Sequence, residues 1–75
     1  MNDLIREVLI FRTNVNTQNN IKKLKPLLDG HVVISKWNFD LEDCDKILRI
    51  EASEKISEEI IEILGSKGFI CDELL

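Results

Sequence analysis

Apolar side chains that alternate with polar ones predict four β-strands. Trp37, Phe39 and Leu41 alternate with polar residues, a pattern typical of a strand with one buried face. In the third strand, Leu48 and Ile50 are expected to point inward. The predicted strands cover residues 7–13, 32–41, 46–52 and 69–74. The first strand has apolar residues on both faces, so one face should meet the core while the other is open or used for contact.

Two further segments carry apolar residues at helical spacing. The first stripe consists of Ile21, Leu24, Leu27 and Leu28, and the second of Ile60, Ile61, Ile63 and Leu64. Asn16 or Thr17 is expected to cap the first helix by accepting a hydrogen bond from a free backbone N–H. Pro26 should bend or loosen its last turn, before Gly30 ends it. The second helix is predicted to begin at Ser57.

The element order β-α-β-β-α-β predicts a single domain over residues 1–75 with a ferredoxin-like fold of the α+β class. Two helices should cover one face of a four-stranded antiparallel sheet. This topology brings three turns to one end of the domain, which we call the loop end: residues 13–17, 42–45 and 67–69. A chain this short forms a small core without a deep cleft. Function is therefore expected at the loop end.

Composition and charge narrow the classes of function. The chain is 44% hydrophobic and 32% charged, which is too apolar for a disordered segment. Its 14 acidic and 10 basic residues give a net charge of −4, which argues against binding nucleic acid. No apolar run is long enough to insert into a membrane, and the charged N-terminus is unlike a signal peptide. A cytoplasmic protein is therefore expected.

The sequence predicts that the protein is not an enzyme. Its single histidine, His31, follows the first helix and should lie at the end of the domain opposite the loop end. No Ser-His-Asp or Cys-His set can therefore form there. The carboxylates of residues 42–45 and 58–59 fall in an exposed turn and a helix start, where solvation and the helix dipole explain them.

Several motifs resemble the heavy-metal-associated (HMA) domain family of small copper chaperones and metal-pumping ATPases. Residues 37–42 (WNFDLE) resemble a strand and turn of that family, and residues 57–61 (SEEII) resemble the start of its second helix. Lys67-Gly68-Phe69 resembles its closing glycine-aromatic turn. The similarity covers nearly the whole chain. It implies the ferredoxin-like fold, metal transport through a Met-x-Cys-x-x-Cys loop before the first helix, and contact with partner domains at the loop end.

The sequence departs from the family at this metal loop. With the helix stripes aligned, Thr17 and Asn20 occupy the two cysteine positions. Their hydroxyl and amide oxygens are hard ligands that suit copper(I) poorly. We therefore expect no cofactor and no metal at these positions, and a protein-interaction module, monomeric or weakly dimeric, that contacts a protein such as another HMA-like domain. The expected contact residues are Val15, Thr17, Asn20, Cys44, Lys67 and Phe69.

The cysteines leave a metal-binding alternative open. Cys44 and Cys71 are the only two, and a copper or zinc protein with non-standard ligands would use them or a site shared between molecules. The topology is expected to separate the two sulfurs, and Cys71 alternates with Phe69, which predicts a buried and inert thiol. A third hypothesis is an anion or small molecule bound at the N-terminus of the first helix.

Side chains outside the loop end are expected to be structural. Trp37 has the inward parity of Phe39, which predicts a core anchor whose indole N–H finds a partner at the sheet edge; an interface residue is the alternative. Val8, Ile10 and Ile47 are expected on the open face of the sheet, where a contiguous apolar patch would indicate a dimer or partner surface.

Overall fold

A computed structural model describes residues 7–74, and its elements follow the predicted order. They are β1 (Glu7–Thr13), α1 (Gln18–Asp29), β2 (Ile34–Asp40), β3 (Ile47–Ala52), α2 (Ser57–Ser66) and β4 (Cys71–Glu73). Residues 1–6 and Leu75 lie outside the described residues. The domain span of 1–75 and the expectation about a signal peptide, which rests partly on residues 1–6, therefore stay predictions. Neither helix in the described part of the chain is long and apolar enough to cross a membrane.

The strands form one antiparallel sheet in the order β2-β3-β1-β4. The central strand β1 pairs with β3 on one side and β4 on the other, so β2 and β4 are the edges. Helix α1 packs against β2 and α2 against β4, and the two helices also contact each other. This arrangement confirms the predicted ferredoxin-like fold.

The core lies between the sheet and the two helices. Its fully buried side chains include Phe11 from β1, Leu48 and Ile50 from β3, Leu24 and Leu28 from α1, and Ile60 and Leu64 from α2. The inward faces predicted for β3 and for one side of β1 are therefore confirmed. Val8, on the other side of β1, is 49% exposed on the open face of the sheet.

Two predicted strands begin too early in the sequence. Strand β2 starts at Ile34, because residues 32–33 form a turn in which the N–H of Ile34 donates to the His31 carbonyl at 3.2 Å, and Val32 is 93% exposed. Strand β4 starts at Cys71, because the N–H of Phe69 still belongs to the end of α2 and donates to the Leu64 carbonyl at 3.0 Å. Alternation alone does not detect either local constraint.

Helix α2 ends in a Schellman motif. Besides the bond from Phe69, the N–H of Gly68 donates to the carbonyl of Gly65 at 3.0 Å. Gly68 has φ +88, in the left-handed region that favours glycine. The predicted stop at Gly68 is thus a specific turn, and it directs the chain into β4.

Gly65 and Gly68 provide a matched test of this turn. Gly68→Ala places a Cβ at φ +88, so we expect a loss of about 1 kcal/mol in the free energy of unfolding. A Cβ at Gly65 meets nothing within 4 Å, so Gly65→Ala should gain about 0.5 kcal/mol through the better helix propensity of alanine. Urea unfolding of both variants measures the two effects. Effects of the same sign would contradict the assigned turn.

Candidate functional site

The turns of the loop end are joined at the end of β1 by the buried side chain of Thr13. Its Oγ1 donates to the Lys46 carbonyl at 2.6 Å and accepts from the N–H of Val15 at 3.2 Å. Its backbone N–H donates to the Asp45 carbonyl at 3.1 Å. One buried residue therefore connects the β1–α1 loop to the β2–β3 hairpin.

Asn14 connects the same loop to the third turn. Its backbone N–H donates to the carbonyl of Ile70 at 3.3 Å, and its Oδ1 accepts from the N–H of Ile70 at 2.8 Å. The sequence pattern does not predict these two bonds of Asn14, although an asparagine that ends a strand often bonds to backbone. The three turns do lie together, as the topology predicts.

Thr17 and Asn20, which the resemblance aligns with two metal-binding cysteines, both bond to the backbone. Thr17 is the N-cap of α1, and its Oγ1 accepts from the N–H of Asn20 at 3.0 Å. The Oδ1 of Asn20 reaches back and accepts from the N–H of Asn16 at 3.2 Å. This reciprocal arrangement closely resembles a capping box. Both side-chain oxygens are thus engaged in holding the start of the helix.

The structure corrects the expected set of contact residues. Val15 is 0% exposed and belongs to the core, so its side chain is not available to a partner. It is the one apolar residue in a polar loop, and burial removes it from water. Phe69 is half-buried and packs against the core. Ile70, which the sequence did not single out, is 63% exposed and is the apolar side chain presented beside the loop end.

The remaining expected contact residues reach the surface. Thr17, Cys44 and Lys67 are exposed, and Asn20 is half-buried. Thr17, Cys44 and Lys67 belong to three different turns that Thr13 and Asn14 hold together, and Asn20 lies in the first turn of α1. The loop end therefore presents a polar surface with one exposed aliphatic side chain next to it.

The two cysteines have opposite environments. Cys71 is buried in β4 opposite Thr13, whereas Cys44 is exposed in the hairpin. Burial, and secondarily the negative charges of Asp72 and Glu73, raise the pKa of the Cys71 thiol to about 12. Since the thiolate is both the nucleophile and the metal ligand, Cys71 is poorly suited to either role.

The hairpin brings three potential ligands together. Atoms of Asp43, Cys44 and Asp45 lie within 4.8 Å of one another, the one such group among residues 7–74. The Oδ1 of Asp43 also accepts from the N–H of Asp45 at 2.8 Å, which explains this carboxylate by the geometry of the turn. One thiol and two carboxylates would suit zinc better than copper(I).

Polar side chains away from the loop end are used to hold the fold. The Nε2 of His31 bonds to Oε2 of Glu59 at 2.7 Å, and its Nδ1 accepts from the N–H of Val33 at 3.4 Å. Both ring nitrogens are therefore occupied. His31 lies at the end of α1 opposite the Thr17 cap, as predicted, and it joins that end to α2.

Trp37 is anchored at the sheet edge. Its Nε1–H donates to Oδ1 of Asp29 at 2.8 Å, which confirms the predicted partner for the indole. The hydrogen bond from Lys25 lowers the pKa of the Asp29 carboxyl most, and the one from Trp37 lowers it to a smaller extent. The charged form of Asp29 thus fixes the orientation of the indole ring on α1.

The thiol environments predict different reactivities. With iodoacetamide at pH 8, we expect Cys44 to be alkylated rapidly and Cys71 to stay protected in the folded chain. Because the folded pKa of Cys71 lies above its unfolded value, its burial stabilises the fold below pH 9 and this contribution falls as the pH rises toward 12.

Peptide mass spectrometry measures the alkylation, and urea unfolding at several alkaline pH values measures the stability. Cys71→Ala should flatten the alkaline decline, whereas Cys44→Ala should leave it unchanged. Equal alkylation of both thiols in the folded chain would contradict the assignment.

No family profile and no curated protein sequence matches the chain. Solved structures do. One is the apo form of the HMA domain of a copper chaperone for superoxide dismutase, with a TM-score of 0.73 and 18% identity over 91% of this chain and 66% of that one. Another is the copper(I)-loaded first domain of the human copper chaperone for SOD1, with a TM-score of 0.72 and 18% identity over 88% of this chain and 89% of that one. The chain therefore has the ferredoxin-like fold of HMA domains.

Proposed function

We propose that this chain is a non-catalytic binding domain that has lost the metal site of HMA domains and works by contacting a protein. The observation that carries the proposal is the reciprocal cap between Thr17 and Asn20. Their oxygens are bonded to backbone N–H groups where a copper chaperone would present two thiolates. A metal at this place would have to displace both bonds and would meet no sulfur.

This chain differs from the copper(I)-loaded human domain in the ligands that it offers. Copper(I), which that domain holds, favours soft sulfur ligands. Residues 13–20 of this chain contain no sulfur. We infer that the scaffold is retained for its surface. Both cysteines are unpaired, which fits a reducing compartment, so we place the protein in the cytoplasm.

The loop end has the composition of a contact surface. Ile70 supplies an exposed aliphatic side chain, and Thr17 and Lys67 supply polar groups. An apolar anchor with a polar rim is the usual anatomy of a protein interface. The bonds of Thr13 and Asn14 fix the turns in advance, so little conformational entropy is lost on binding. Another HMA-like domain remains the expected class of partner.

A metal titration tests the loss of the site. We expect the native chain to bind copper(I) no tighter than about micromolar, because the loop offers oxygen ligands alone. The variant Thr17→Cys/Asn20→Cys places thiols at both ligand positions and should hold copper(I) against a chelator that strips the native chain. Competition with a chromogenic copper(I) chelator measures both affinities, and circular dichroism checks that each chain is folded.

The same titration with zinc tests the alternative of a metal held by non-standard ligands. Asp43, Cys44 and Asp45 are the observed basis for it. Cys44→Ser removes the hairpin thiol and leaves the loop unchanged. Tight binding by the native chain that disappears in this variant would replace the proposed loss of metal binding with a hairpin site. Tight binding that survives Cys44→Ser would contradict both assignments.

Two exposed aliphatic residues test the contact surface. Ile70→Ser should abolish capture of the partner from cell extract, because it removes the apolar anchor at the loop end. Val32→Ser is the matched control, since Val32 is 93% exposed but precedes β2 at the opposite end of the sheet. Quantitative mass spectrometry compares the captured proteins. Proteins captured equally by all three chains, or an empty capture by the native chain, would contradict the proposed surface.

A further inference from the structure

The edge strand β2 carries a pattern that is symmetric about Asn38. Its sequence from Lys36 to Asp40 reads Lys-Trp-Asn-Phe-Asp. A basic and an acidic residue thus flank Asn38 at two positions on either side, and an aromatic residue flanks it at one position on either side. When the strand is paired antiparallel with a copy of itself about Asn38, every position meets a complementary side chain.

The backbone of this segment is regular and lies at the edge of the sheet. The register of β2 on β3 runs without interruption from Lys36 to Asp40, and a register shift lies before it, between Ile34 and Lys36. The other edge strand, β4, has 3 residues, whereas β2 has 7. On its outer side, β2 has no strand partner within residues 7–74. Its unpaired N–H and C=O groups are therefore a template for a further strand.

The side chains of this segment are sorted onto two faces. Lys36, Asn38 and Asp40 are exposed on the open face of the sheet, opposite Glu51, Arg49 and Ile47 of β3. Trp37 and Phe39 lie on the helix face, opposite the buried residues Ile50 and Leu48. A two-fold axis perpendicular to the sheet keeps each set on its own face. Charged side chains of opposite sign then lie next to each other on one face, and aromatic rings lie next to each other on the other.

The aromatic residues are already held in place. The indole of Trp37 is fixed by its bond to Asp29, and its ring meets that of Phe39 edge to face, with centroids 6.0 Å apart. Phe39 and Leu41 also line an open groove between the start of α1 and the end of β2. In the symmetric pairing, Trp37 of a second copy lies opposite Phe39, beside this groove.

We propose that the outer edge of β2 binds a second copy of this chain. The two β2 strands pair antiparallel with Asn38 opposite Asn38, and the two four-stranded sheets become one sheet of eight strands. Lys36 of each copy faces Asp40 of the other, which gives two cross-strand ion pairs. A lysine on an edge strand normally repels further strands, but here the two-fold axis places an acid against it.

The charge pattern also fixes the register. A shift of the register by two residues in one direction places Lys36 of one copy opposite Asn38 of the other and removes both ion pairs. The opposite shift places it opposite Glu42, which lies beyond the end of β2. With five residues of each chain in the pairing, the contact is short, so the dimer should be weak and should depend on concentration.

Charge exchange tests the pairing. The symmetric dimer contains two equivalent contacts between residues 36 and 40. K36D places two acids at each contact, and D40K places two bases there. Each variant alone should therefore raise the dimer Kd about tenfold. An equimolar mixture of K36D and D40K restores both attractions, as does the double variant K36D/D40K. Sedimentation velocity over a range of concentrations measures the native chain, each variant and the mixture.

Matched controls separate the interface from general effects. K22D makes the same change of charge on the exposed surface of α1 and should leave the dimer unchanged. Circular dichroism reports whether each variant folds, which matters because Asp40 also accepts a hydrogen bond from the N–H of Glu42. Ile70→Ser should leave the dimer intact, since Ile70 lies next to β4 at the edge of the sheet opposite β2, so this inference and the proposed function fail independently.

A disulfide test needs no change of charge on β2. In a Cys44→Ser background, N38C places two thiols opposite each other on the two-fold axis, and oxidised glutathione should link them into a covalent dimer. R49C, exposed on the neighbouring strand, should stay largely monomeric under the same conditions. A native chain that is monomeric at millimolar concentration, a mixture that fails to recover the dimer, or equal cross-linking by N38C and R49C would each overturn the proposal.

Discussion

The buried hydroxyl of Thr13 is the group on which the geometry of the loop end depends. It donates to the Lys46 carbonyl and accepts from the N–H of Val15, so both of its hydrogen-bonding functions are used. Leaving a buried polar group without its hydrogen-bond partner costs about 1–3 kcal/mol of stability. The loss of either bond would therefore destabilise the arrangement that holds the other. Lys46 has φ +50, which is unfavourable for a residue with a side chain, and the Thr13 bond to its carbonyl helps to hold it there.

The cap of α1 shows how side-chain oxygens at residues 17 and 20 hold the start of the helix. The Thr17 hydroxyl satisfies one backbone N–H at the start of α1, and the Asn20 amide satisfies that of Asn16. Thiols are weak hydrogen-bond acceptors, so cysteines at these positions would stabilise the helix start less. The chemistry that makes the positions poor metal ligands therefore makes them good caps. Scaffold stability and metal affinity make opposite demands on the same two side chains.

Local periodicity predicts most of the fold, but it does not detect the hydrogen bonds that hold the loop end together. Strand β1, Glu7–Thr13, covers the residues that its own sequence pattern predicts. The side-chain bonds of Thr13 and Asn14 at the loop end join residues 33 and 56 positions apart, and no spacing rule detects them. The burial of Val15 and the exposure of Ile70 follow from these bonds and from the turn at Gly68. Topology therefore predicts that the three turns meet, whereas the coordinates are needed to tell which of their side chains reach the surface.

Electrostatics decides whether a symmetric edge can bring two acidic chains together. Each chain carries a net charge of −4, so two copies repel each other at long range. At physiological ionic strength, screening acts over about 8 Å, which weakens the repulsion between distant surface charges. A Lys36–Asp40 pair between adjacent strands has its side chains about 5 Å apart at Cβ, inside that length. The local pattern on β2 can therefore outweigh the overall charge.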